Sequence, residues 1–333
     1  MGVRYVVEGS VRRVAGQTRI TVQLIDALTN THIWAERYDR DVEHVFTVQR
    51  EIAEAVAGAI FPAVGDQERR RAIGKPPSSL STWETYQRGV WHFYKLLAVE
   101  NVRARHFFVR AAELDQGFSS PHVGLSDTYL WDGLLYGTRS IAEAAKLAED
   151  EARIGITIDS NDAAAQAALA SAFVLGGNCQ AGLERVERAL ALNRNSATAY
   201  RVKASALILS GRYPDGRVEA FISLRLNPRD PISGFTESLI AASYYLEGDY
   251  RATVDSVERC MVQYPEFRGR VRRYLVAALG QLGRREEAAT ALSEMLAITP
   301  EVQEMFIRNR PSYLRPEDHE HRLDGLRKAD WQG

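Results

Sequence analysis

Ala189-Leu190-Ala191-Leu192-Asn193-Arg194 and Ser223-Leu224-Arg225-Leu226-Asn227-Pro228 lie 34 residues apart and share one pattern, an apolar helix end closed by a polar breaker. The same mark stands at 111–116, 155–160, 260–265 and 295–300, with successive spacings of 44, 34, 34, 37 and 35 residues. A glycine precedes each of the last four marks by 17 residues: Gly177, Gly211, Gly248 and Gly283. Glycine at such a place suits a left-handed helix cap, where a side chain is resisted. A period near 34 with a cap at its midpoint predicts one pair of helices per repeat, stacked so that neighbours bury a continuous core.

Six such units resemble the tetratricopeptide family over about residues 82–300. The family's small position in the second helix falls on Ala104, Ala148, Gly182, Gly216, Thr253 and Ala288, and its first-helix aromatic on Tyr129, Phe173 and Tyr244. The family's leading tryptophan is not kept; His122 and Tyr200 stand there. The resemblance implies a concave groove lined by the first helices. Carried over unit by unit, its walls include Trp83, Tyr86, Val90 and Phe93 in the first, Thr198, Arg201, Ser205 and Ile208 in the fourth, Phe235, Ser238, Ala242 and Tyr245 in the fifth, and Arg270, Arg273, Ala277 and Gly280 in the sixth. Of these, Trp83, Tyr86, Phe93, Arg201, Tyr245, Arg270 and Arg273 are the candidate contacts. An aromatic entrance with scattered arginines suits an amphipathic or acidic segment of a partner protein. The competing reading is that Trp83, Trp91, Phe93 and Tyr94 cover the first hairpin against the β region.

The first 65 residues read differently. Residues 5–12, 19–26 and 32–38 are predicted strands of an antiparallel meander, with turns at 14–17 and 29–31. Val45, Val48, Ile52, Val56 and Ile60 then share one helical face, and Pro62 and Gly65 are expected to end that helix. A charged, breaker-rich stretch over 66–81 reads as a linker. The array follows over 82–300, with a capping helix and tail over 301–333; 301–310 and a last short helix from His319 to Trp331 are the expected elements. The fold class is therefore a mostly α solenoid preceded by a small partial α/β domain. Gly2–Arg12, Arg19–Asp26 and Ile33–Arg40 resemble a TolB-like domain found ahead of tetratricopeptide arrays in bacteria, entered in its middle. In such relatives a class III nucleotide cyclase or a winged-helix domain often precedes. The resemblance thus implies the sensory or regulatory part of a signalling protein, or, as an alternative, the regulatory end of an adenylate/guanylate cyclase encoded upstream.

Composition narrows the remaining classes. With 42 basic and 43 acidic residues the net charge is −1, which gives no overall field for nucleic acid or an anionic membrane. No apolar run reaches the ~18–20 residues needed to cross a bilayer, and the start lacks a signal-peptide core, so a cytoplasmic location is expected. Cys179 and Cys260 read as core thiols. GxxxxGK[ST], GxGxxG and HExxH are all missing, and no catalytic residue, cofactor or metal is assigned. His319-Glu320-His321 lacks further ligands, and Asp41, Glu43 and His44 read as ordinary acidic bias near a helix start. The basic groups Arg69–Arg71 with Lys75, and Arg268, Arg270, Arg272 and Arg273, read as solvated helix faces.

Overall fold

The computed structural model describes residues 3–14, 17–41, 56, 60, 63–73, 75, 80–298 and 309–332. Strands β1 (Tyr5–Val14), β2 (Gln17–Asp26) and β3 (Thr31–Asp41) form an antiparallel meander in the order β1-β2-β3. The register runs from Tyr5 opposite Asp26 to Val14 opposite Gln17, and β3 bulges between Leu24 and Ile25 of its partner. Val22, Leu24 and Trp34 point to one buried face, covered by Val56, Ile60, Ala63 and Val64. Most of the expected 45–60 helix, and Glu43 and His44, lie outside the described residues.

One expectation is corrected here. Residues 63–73 are helical, so Gly65 lies inside a helix and the charged run from Asp66 to Arg71 decorates it. The reason is an anchor that sequence spacing does not reveal. Arg71 pairs with the fully buried Asp26 and with Glu68, and Tyr5 donates to Glu68. Buried carboxylates need such partners.

Twelve helices then form six antiparallel hairpins. They are α1 (Thr82–Phe93) with α2 (Ala98–Leu114), α3 (Ser120–Trp131) with α4 (Ile141–Ile158), and α5 (Ala163–Leu175) with α6 (Cys179–Leu192). The second three are α7 (Ala197–Leu209) with α8 (Tyr213–Leu226), α9 (Ser233–Glu247) with α10 (Tyr250–Gln263), and α11 (Arg268–Gln281) with α12 (Arg285–Ala297). Polar side chains cap several starts: Ser81 forms a capping box with Glu84, and Asp162 accepts from the amides of Ala164 and Ala165. The long second unit is explained by α3 running on as a π-helical turn, Asp132–Tyr136, stopped by the left-handed Gly137. Gly177, Gly211, Gly248 and Gly283 all have positive φ, between 70° and 93°.

Small side chains set the hairpin spacing. Ala104, Ala148, Thr253 and Ala288 are fully buried. A Cβ on Gly216 would lie 2.6 Å from Ile208 Cγ1 and 2.8 Å from the Ala204 carbonyl oxygen. The expected aromatic positions serve a second purpose. Arg105 lies over Tyr129 at 4.5 Å, Arg153 over Phe173 at 5.6 Å and Arg217 over Tyr244 at 4.1 Å. Each contact joins the second helix of one hairpin to the first helix of the next, and such cation–π pairs contribute about 0.5–1 kcal/mol where exposed.

The last described helix, α13 (Pro316–Lys328), packs on α9 and α11. It begins three residues before the expected His319; residues 301–308 lie outside the description. Two glycine substitutions separate close approach from backbone strain. Gly216→Ala meets Ile208 and the α7 backbone, and is expected to cost ~1–3 kcal/mol. Gly248→Ala has nothing within 4 Å of its new Cβ. It is expected to cost ~1–2 kcal/mol from its φ alone. Urea midpoints measure both; a Gly216→Ala variant as stable as the parent would refute the close-approach account.

Candidate functional site

Residues of the first helices α3, α5, α7, α9 and α11 line a central cavity, and the carboxy-terminal segment borders it through Tyr313, Leu314 and Arg322. Ser312 donates to the Leu175 carbonyl at 3.4 Å, at the third hairpin. At the fourth, Tyr213 donates to Asp318 Oδ1 at 2.5 Å. At the fifth, Tyr245 donates to the His321 carbonyl at 2.8 Å and stacks on its ring at 4.7 Å, while Tyr250 Oη meets His321 Nε2 at 2.9 Å. At the sixth, α11 and α13 meet through glycines. A Cβ on Gly280 would strike the Gly325 carbonyl, and one on Gly325 would lie 2.7 Å from the Ala277 carbonyl. Gln281 donates to Asp324 at 2.8 Å, and Leu326 is fully buried beside this contact.

The groove also curls onto itself. Trp131 on α3 meets Phe235 on α9 edge-on at 5.3 Å, and lies 6.3 Å from Phe267. Arg270 Nη1 donates to the Leu134 carbonyl at 3.2 Å, bridging the second and sixth units. A cavity of about 100 Å³ remains at the centre.

The candidate contacts are thus distributed unevenly. Trp83 is 44% exposed and packs beside Tyr86 and Phe118 at the amino-terminal end of the groove. Tyr86 is half-buried among Trp83, Phe108 and Phe118. Phe93 is buried against Trp131, 6.2 Å away. Tyr245 is fully buried under α13, so it is not the open wall that the family resemblance implied. Arg201 is buried and paired with Asp230 at 3.0 Å. Arg273 is buried, and Arg270 faces the cavity with its guanidinium over Phe235 at 4.5 Å. Tyr94 is met by Arg69 of the 63–73 helix, whose guanidinium lies over its ring at 5.3 Å.

Other clusters flagged by the sequence have local partners. Arg272 pairs with Glu294, Lys75 with Glu84 and Arg69 with Asp66. His319 and His321 diverge, His319 to Arg322 and His321 to Tyr250. Among the described residues no group of three His, Cys, Asp or Glu side chains is placed to hold a metal ion, and no helix is long and apolar enough to cross a membrane. Burial pushes the Cys260 thiol up to about 12 and raises that of Cys179, so neither is an activated nucleophile. Sequence reasoning missed Asp127, Tyr313 and Arg322 on the cavity wall. Only the facing glycines Gly280 and Gly325 hint at the fold-back that brings the tail there.

The chain's fold recurs in solved structures. The APC/C hetero-tetramer Cut9–Hcn1 matches 83% of this chain and 48% of that one, with a TM-score of 0.57 and 13% identity. Human IFIT1, in a dimer with PPP-AAAA, matches 75% of this chain and 59% of that one, with a TM-score of 0.56 and 17% identity. The array is a tetratricopeptide solenoid. At these identities the likeness is one of fold. In sequence, a putative adenylate cyclase 3 of Rhizobium meliloti (strain 1021) is 39% identical over 135 residues. That stretch is 40% of this chain and 22% of the relative, so the chain spans a minor part of that protein. No family model matches the chain.

Titration gives the docked tail of this solenoid a sign. Burial lowers both the His319 and the His321 imidazole below the ordinary 6.5. For His319, Arg322 adds to the effect; for His321, Asp318 and Asp324 oppose it. The docked helix therefore holds both rings neutral, while the undocked helix protonates more readily. Docking is at full strength above pH ~6.5 and weakens as pH falls below it. Burial raises the Asp318 carboxyl, which contributes with the opposite sign. Amide exchange of residues 316–328, corrected for intrinsic rates, should speed up on going from pH 7.5 to 5.5. A His319→Gln/His321→Gln variant should flatten that response; an unaltered response would remove the histidines from the account.

Proposed function

We propose that this chain is a non-catalytic interaction module that accepts a segment of a partner protein in its concave groove, as part of a bacterial cytoplasmic signalling system. The observation that carries this reading is α13. It lies on α9 and α11, at Tyr245, Ala277 and Gly280, where the solenoid would hold a partner helix. Helix-in-groove recognition needs an apolar stripe, close backbone approach and a few polar anchors. Leu326, Gly325 and the Tyr245–His321 contact supply these in cis. Trp83 and Tyr86 form the open end, with Phe93 behind them; Arg201, Tyr245, Arg270 and Arg273 form the part that a partner reaches once the tail leaves.

The test uses the protein's own tail as probe. A full chain carrying Gly325→Leu and Leu326→Asp should release α13 while leaving the groove unaltered. A fluorescent peptide of residues 309–332 should then bind it, and should bind the parent chain at least tenfold more weakly, because the parent groove is filled. A released chain with parental helicity and no affinity for the peptide would overturn the groove reading.

A second reading is favoured by the 39% identity to a putative adenylate cyclase: the chain is the regulatory portion of a cyclic-nucleotide system. The DNA immediately upstream decides it. A continuous frame encoding a cyclase catalytic domain is the expected result. A stop codon close upstream, with no cyclase gene alongside, would leave the free-standing interaction module.

A further inference from the structure

Asp127 on α3 borders the central cavity and is the one carboxylate among the described lining residues. It is half-buried, and among the described residues it has neither a hydrogen-bond nor an ion-pair partner. The charges that act on it are Arg201 and Asp230, and those two pair with each other at 3.0 Å. Burial, opposed by Arg201 and helped by Asp230, lifts the Asp127 carboxyl to about 6. A partly desolvated carboxylate of this kind is stabilised by an added cation.

The field of Asp127 extends to the aromatic end of the groove. Burial, then Asp127 and Asp162, raise the Tyr86 hydroxyl, and Arg69 opposes them. Burial, then Asp230, raise that of Tyr94, where Asp127 adds to the effect and Arg69 again opposes it. Trp83, 44% exposed, lies 5.6 Å from Tyr86 and 6.1 Å from Phe118. Asp162 is held by neutral donors, the α5 amides and Ser119 at 2.6 Å, and Arg69 pairs with Asp66. The groups acting on these side chains, with their ion-pair partners, are therefore four carboxylates, Asp66, Asp127, Asp162 and Asp230, against two guanidiniums, Arg69 and Arg201. Both guanidiniums are already held by a carboxylate. Arg69 also lies over the Tyr94 ring at 5.3 Å, so one cation–π contact is made here in cis.

We propose that the amino-terminal end of the groove docks a basic segment of a partner protein, with a lysine or arginine side chain lying between Trp83, Tyr86 and Asp127. This rests on the interaction-module reading above and adds the charge of the partner. Aromatic faces attract a cation, tryptophan most strongly. The carboxylate supplies a charge-assisted hydrogen bond, and the hydrocarbon stem of either side chain packs along the rings. Two of the arginines that suggested an acidic partner are engaged elsewhere: Arg201 by Asp230, and Arg270 by the Leu134 carbonyl and Ser238 Oγ.

The experiment titrates the full chain, at constant ionic strength, with three labelled dodecapeptides of one amphipathic sequence of alanine, leucine and glutamine. They differ at a single central position, which is arginine, citrulline or glutamate; citrulline keeps the shape of arginine without its charge. By fluorescence anisotropy the arginine peptide is expected to bind about tenfold more tightly than the citrulline peptide, with the glutamate peptide weaker still. In Asp127→Asn the preference for arginine over citrulline should largely vanish; Asp127→Glu, which keeps the charge, should retain part of it. Equal binding of the arginine and citrulline peptides to the parent chain would overturn the proposal, and that comparison needs no variant to fold. So would a glutamate peptide that binds as tightly as the arginine one, or an undiminished preference in a folded Asp127→Asn chain. Binding of none of the three, while the tail peptide still binds the released chain, would overturn this site and leave the interaction-module reading standing.

Discussion

The first helices of this solenoid have almost no face to give to water. Twelve of the fifteen residues of α9 and nine of the thirteen of α5 are buried, against five of fourteen in α10. A helix that is covered nearly all round must be packed on every side. Neighbouring hairpins cover two sides. The third side is the groove, and leaving it open would expose Tyr245, Ala277 and Leu239 together. The tail and the curl of the superhelix meet that requirement, and the rest of the architecture follows from it: the buried arginines, the facing glycines of α11 and α13, and the central cavity.

The paired-helix period was fully legible, because helix ends, left-handed glycines and small contact residues are local in sequence. The meander was legible for the same reason: alternation over 19–26 reflects one buried face carrying Val22 and Leu24. The 63–73 helix was not, since its anchor joins Arg71 to Asp26, and nothing in a charged run points to a partner 45 residues earlier. The family resemblance implied one face for Tyr245, Ala277 and Gly280, and α13 packs at all three. It could not say what covers that face, because α13 reaches it from 40 to 80 residues further along the chain. Among the described residues, the tail's first hydrogen bond to the array is at the third hairpin, and Trp83 in the first is 44% exposed.

Overall charge concealed the centre in the same way. A net charge of −1 averages over the surface ion pairs and says nothing of where individual guanidiniums lie. The second helices place theirs outward, over Tyr129, Phe173 and Tyr244, where they stitch hairpin to hairpin. The first helices and the tail place theirs inward. The same residue type thus ties hairpin to hairpin on one side and lines the central cavity on the other.

The tail and the groove it fills belong to one chain, and that connectivity has a quantitative consequence. A segment held this close competes with free molecules at an effective concentration on the order of millimolar. A diffusing helix with the same contacts would have to exceed that concentration to displace α13. Weak, accidental occupants are therefore excluded by chain connectivity alone, without any contact designed against them. On the proposed function, a partner would succeed only by adding contacts that the tail lacks, and the exposed Trp83 is where such contacts would be made.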